Sequence, residues 1–184
     1  MSGAGVDESV ICTAMIGWDG TYFSVPVIDR NRHVTALARA RIDWRTGQLI
    51  PVPLGSERPR LFGESQLAWG VERLYIVEGI GEALVLISRG FHAVASTGDG
   101  LEFLPEWVPI VSKASEVIVC LSRRPTSLPA AFAIRNLLPQ VRIVTLPTEV
   151  GGDGGLYDYF VRLGRSEADF ARHIATADKP ENDA

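Results

Sequence analysis

Soft and borderline metal ligands are scarce in this sequence: two cysteines and three histidines in 184 residues. Cys12 and Cys120 are far apart, neither lies in a Cys-x-x-Cys pair, and no histidine is near either in sequence. This excludes a disulfide framework and argues against structural zinc, and it leaves two free buried thiols as the expectation. No apolar run approaches the roughly 20 residues of a membrane helix. The start, Met1 to Glu8, has neither a basic nor an apolar stretch, so no secretory signal is read there. A cytoplasmic location without a membrane partner follows as the expectation. Lysine is nearly absent, with two against sixteen arginines. Arginine favours planar, bidentate contacts to phosphate or carboxylate, although genome composition produces the same bias. Acids are missing from one long stretch: no Asp or Glu occurs between Val117 and Thr148.

What is present is ordinary for a folded chain. Hydrophobic residues make up 46% and charged residues 22%, enough for one globular domain with a sizeable core. The net charge of −4 is unevenly spread. Both ends are acidic, and residues 1–8 and 176–184 read as disordered tails. Residues 28–60 hold seven arginines against Asp29, Asp43 and Glu57. A positive segment of this kind is compatible with phosphate contacts on one face.

The chain divides by texture into a β-rich part, 9–70, and a strand–helix part, 71–175. In the first, strands are expected over 22–28, with Pro26 marking an edge or bulge, over 34–42 and over 49–54. A short helix is expected over 65–69. In the second, apolar strands at 73–77, 92–96, 116–121 and 141–146 alternate with helices at 81–89, 104–113 and 129–138. A Gly-rich loop, 151–155, leads to a short helix at 157–163, and Ser166-x-x-Asp169 caps a last helix. The alternation implies an α/β fold with a mostly parallel four-stranded sheet flanked by helices, preceded by a small β-rich subdomain. Ligands of such sheets bind beyond the carboxyl ends of the strands. Glu78, Ser96, Ser122, Arg124 and Asp153 stand at those ends.

The stretch 74–98 has an apolar strand, Glu78-Gly79, an acid at Glu82, Gly90 and a Ser96-Thr97-Gly98 turn. It resembles the first motif of the TOPRIM domain shared by bacterial-type primases, topoisomerases and several nucleases. Upstream, Phe23–Ile28, Asp29–His33, Arg39-Ala-Arg41 and Pro59–Gly63 are similar to the N-terminal part of a bacterial or phage primase core. Downstream, Val141–Pro147 and Asp158-Tyr-Phe160 resemble that core's last strand and following helix. The likeness covers residues 20–164.

The resemblance implies a TOPRIM fold, a link to DNA replication, and an Asp-x-Asp metal motif after the third strand. Here that place reads Leu121-Ser122-Arg123-Arg124-Pro125. Ser122 and Arg124 stand where the aspartates belong, and the acid-free stretch allows no one-residue shift to restore them. Mg²⁺ wants hard oxygen ligands, while arginine is a permanent cation. The expectation is a degenerate site with no metal and no cofactor, in which Arg124 serves as counter-ion to Glu78 or Glu82.

Glu78 and Glu82 are then remnants of a catalytic pair. Arg39, Arg41, Arg58, Arg60, Arg123 and Arg124 are candidates for nucleic-acid or nucleotide contact. Each has a plainer role open to it: a helix cap or ion pair for the glutamates, a solvated strand or loop for the arginines. His33 and His173 read as surface residues and His92 as part of a strand.

Three functions remain open. The first is a non-catalytic module that binds single-stranded DNA, a nucleotide, or replication proteins such as a helicase or a zinc-binding primase subunit. The second is an active primase or nuclease whose Mg²⁺ site is rebuilt from Glu78, Glu82, Asp153 and Asp158. The third is a protein–protein scaffold.

Overall fold

The computed structural model describes residues 5–43, 48–52, 58–67 and 70–177. The expected tails, the turn at 45–47, the loop residue Glu57 and the end of the helix expected at 65–69 lie wholly or partly outside them.

The first element is a helix, α1 (Glu8–Thr13), where extended chain was expected. Asp7 has the extended conformation of an N-cap, Glu8 favours the positive helix start, and Val10, Ile11 and Ala14 pack on the core. Cys12 lies on its outer side and is exposed, not buried as expected, whereas Cys120 is buried.

Four antiparallel strands follow in sequential order: β1 (Gly17–Trp18), β2 (Phe23–Ile28), β3 (Val34–Ile42) and β4 (Leu49–Val52). Pro26 is tolerated because β1 pairs only with Phe23 and Ser24, which leaves the rest of β2 at an open edge. A bulge follows at Val27/Ile28. In β3 Ala38 and Ala40 are buried while Leu37, Arg39 and Arg41 face water.

The second sheet has five strands in the order β5-β7-β6-β8-β9. They are β5 (Leu61–Phe62), β6 (Arg73–Val77), β7 (Ala93–Ser96), β8 (Glu116–Leu121) and β9 (Arg142–Thr145). The four expected strands are parallel. The short β5 adds an antiparallel edge, so residues 61–62 belong to this sheet rather than to the first. Its helices are α2 (Gly79–Ile87), α3 (Val108–Val111), α4 (Ser127–Leu137) and α5 (Glu167–Thr176).

Period two along the strands divides the core. Tyr75, Val77, Ile118 and Cys120 point to one face, shared with α2, α5 and the buried side of the first sheet. Leu74, Ile76, Val117, Val119 and Leu121 point to the other, under α3 and α4. At α5 the expected cap is present: Ser166 Oγ accepts from Asp169 N, and Asp169 accepts from Ser166 N. The stretch expected as a helix at 157–163 forms a turn of π-helix, Asp158–Arg162. His33 and His92 are exposed. His173 is half-buried, with Nε2 2.9 Å from the Thr145 carbonyl oxygen.

Candidate functional site

Parallel pairing of β6 with β8, Ile76 opposite Val119, brings Glu78 level with the end of β8. Gly79 then turns the chain into α2 at φ +81°, a conformation in which a side chain is strained. The Glu78 side chain is 5% exposed. A buried carboxylate needs partners, and β8 supplies them. Ser122 Oγ donates to Glu78 Oε1 at 2.8 Å, and the Ser122 N–H reaches the same oxygen at 3.2 Å. Arg124 Nη1 stands 3.8 Å from Glu78 Oε2. Ser127 Oγ, at the start of α4, lies 2.9 Å from Ser122 Oγ. Sequence reasoning missed Ser127, because nothing marks a helix-start serine as a partner of a residue five positions back.

Glu82, one turn along α2, has a different task. Its Oε2 accepts from Leu156 N at 2.7 Å, and its Oε1 lies 3.5 Å from Tyr157 N. It thus satisfies the amides at the entry to the π-helical turn. Gly155 allows the approach, since a Cβ there would lie 2.5 Å from Glu82 Oε1. Although part of the residue reaches the surface, desolvation of the carboxyl outweighs those amides and pushes it up to about 7. The nearby Glu78 charge adds to the rise and Arg124 opposes it. Asp158 is also committed: Oδ2 accepts from Gly155 N at 3.1 Å and Gln48 Nε2 at 3.0 Å, and Oδ1 from Arg162 Nε at 2.7 Å. Asp153 is exposed on the loop.

A cavity of about 410 Å³ opens beside this cluster, between β3–β4 of the first sheet and the carboxyl ends of the second. It brings together Glu78, Glu82, Arg39, Arg58, Arg60 and Arg124. The guanidinium of Arg39 sits 5.8 Å from the centre of the Tyr22 ring. Arg58 pairs with Glu106. The backbone N–H of Arg60 is fixed on Thr97 Oγ1 at 2.8 Å, and its side chain has no ion pair among the described residues.

Two candidates fall outside the cavity. Arg41 is exposed on the outer face of β3. Arg123 turns away, its Nη1 donating to the Leu146 carbonyl at 3.2 Å and its N–H to Gly154 O. Among the described residues no three His, Cys, Asp or Glu side chains are grouped closely enough to hold a metal ion.

No family model matches the chain, and no curated protein matches it. Solved structures do. The catalytic domain of DnaG primase bound to single-stranded DNA is 21% identical, with a TM-score of 0.72 over 96% of this chain and 69% of that one. The chain has the fold of a primase catalytic core. The E. coli primase catalytic core matches at 20% identity and TM-score 0.72, over 96% of this chain and 71% of that one. The primase domains of bacteriophage T7, seen with a DNA polymerase and an RNA/DNA hybrid, match at 16% and 0.71, over 96% and 90%. The expected TOPRIM-containing primase-core architecture is therefore the observed one. Among the described residues no helix is long and apolar enough to cross a membrane.

Proposed function

We propose that this primase-like chain has exchanged metal chemistry for a metal-free grip on single-stranded nucleic acid. The observation that carries the proposal is the state of Glu78. Its carboxylate is engaged by the Ser122 hydroxyl and N–H and faced by the Arg124 guanidinium. Mg²⁺ asks for several hard oxygen ligands and tolerates no cation among them. At about 4 Å and an effective dielectric near 20, each unit of repulsion costs about 4 kcal/mol. The residues around Glu78 fit that ion poorly, so no metal-dependent step is assigned to the site. Rebuilding one from Glu82, Asp153 and Asp158 has less support. Glu82 and Asp158 already hold backbone amides, and Asp153 is exposed on its loop.

The cavity suits phosphate-bearing ligands through arginine. Arg60 is held by its backbone with its guanidinium unpaired, and Arg39 lies across the opening from it. Guanidinium forks bind phosphate oxygens bidentately, and Tyr22 behind Arg39 offers a ring for base stacking. The DnaG catalytic domain was solved with single-stranded DNA, which makes that ligand the first to test.

The test is fluorescence anisotropy of a labelled single-stranded DNA at two salt concentrations, with and without Mg²⁺. The expected result is binding that weakens with salt, as counterion release requires, and is unchanged by Mg²⁺. Binding that needs Mg²⁺ would overturn the metal-free reading. Absence of binding under every condition would overturn the nucleic-acid reading.

A further inference from the structure

Helix α4 keeps its inner side, Ala131 and Ile134, in the core. Its outer side is apolar as well. Leu128 and Phe132, one turn apart, are each 48% exposed, and Leu137 is 37% exposed. Pro129, Ala133 and Asn136 complete that side, all exposed and none charged. A surface helix ordinarily turns charged residues to water. Here the only charge on the helix is Arg135, whose guanidinium lies 5.8 Å from the centre of the Phe132 ring. Arg124, half-exposed, stands just ahead of the helix. No acid occurs from Val117 to Thr148, so this stretch presents an apolar ridge with arginines at its margin and no negative charge of its own.

A second copy of the chain suits this ridge badly. Eleven residues of helix span about 16 Å, and two such helices crossing bury well under the ~1,000 Å² of a stable interface. A two-fold contact also sets Arg135 against its own copy. The charge complement of the ridge is acidic. We infer that the outer face of α4 is a docking surface for an acidic amphipathic segment of another protein, with two apolar anchors one helical turn apart and carboxylates at its margin. Its anchors cover Leu128 and Phe132, in the manner of a helix laid against an apolar strip, while its carboxylates meet Arg135 and Arg124. This surface is separate from the cavity and does not depend on the nucleic-acid reading.

The experiment uses three labelled 15-residue peptides: an acidic amphipathic one with Phe and Leu four residues apart, the same with Lys for each acid, and the same with Ser for each anchor. Anisotropy is read against the full chain and against Phe132→Asp and Leu128→Ser, both at exposed positions, with circular dichroism as the fold control. The acidic peptide is expected to bind at least tenfold tighter than either counterpart. Phe132→Asp should weaken it at least tenfold and Leu128→Ser severalfold, with single-stranded DNA binding unchanged. Equal binding of the three peptides, or no binding, overturns the inference. A concentration-dependent dimer abolished by Phe132→Asp overturns it in favour of self-association. Loss of DNA binding in Phe132→Asp overturns it in favour of a nucleic-acid surface.

Discussion

In β3, Ala38 and Ala40 are buried while Arg39 and Arg41 between and beside them are exposed. In β6, Leu74 to Val77 are all buried, because each side of the second sheet has its own core. A one-sided sheet has a free face to spend on ligand contacts. A two-sided sheet has none, and its chemistry is confined to the strand ends, where Glu78 and Ser122 are found. The cavity lies where these two kinds of surface meet.

The comparison is broken most severely by a hole in the two-sided sheet's core. Phe170 of α5 is fully buried and touches four aromatic rings, those of Tyr75, Phe91, Tyr159 and Phe160, at centroid distances of 5.2 to 5.8 Å. Phe170→Ala should cost about 3–5 kcal/mol, read by urea denaturation. A loss below about 1 kcal/mol would mean that this face collapses to fill the space, and that the core is less closely packed than the ring contacts indicate.

The same contrast explains what could be read from the sequence. The parallel strands were legible because burial on both faces leaves near-continuous apolar runs, such as Glu116–Leu121, whose observed bounds match the expected ones. The capping box of α5 was legible because it is local. β5 was not, since two residues carry no period and it exists only through pairing with β7. α1 was missed because its six residues show too little apolar period and owe their order to packing. At the site, Glu78, Ser122 and Arg124 were found in the sequence by position. The direction of neighbouring Arg123 was not, because backbone geometry at the strand end decides which of two adjacent arginines faces the cavity.

A smaller effect separates the two glutamates of α2. Glu82 is raised from 4.5 to about 7, mainly by burial. A carboxyl raised on folding holds its proton more tightly in the native state. The stability it contributes is complete below about pH 4.5 and is lost as pH rises through about 7. Glu82→Gln keeps an acceptor for Leu156 N but does not titrate. Its denaturation free energy should therefore lack the decline of the parent between about pH 4.5 and 7. Coincident profiles for the two proteins would show that Glu82 titrates normally and that its amide contacts compensate fully for burial.

The least disruptive change lies on the free face. Arg41 is exposed beyond the cavity, on the same side of β3 as Arg39, and has no ion pair among the described residues. Arg41→Ala should alter stability by no more than about 0.5 kcal/mol. If bound single strands continue from the cavity over the outer face of β3, the variant loses one phosphate contact. The slope of log affinity against log salt then falls by about 0.7. An unchanged slope would confine the ligand to the cavity, with Arg39 and Arg60 as its contacts and the outer face as solvated sheet. Because Arg39 and Arg41 differ by one strand period and share a side, the pair measures how far along the free face the nucleic-acid path extends.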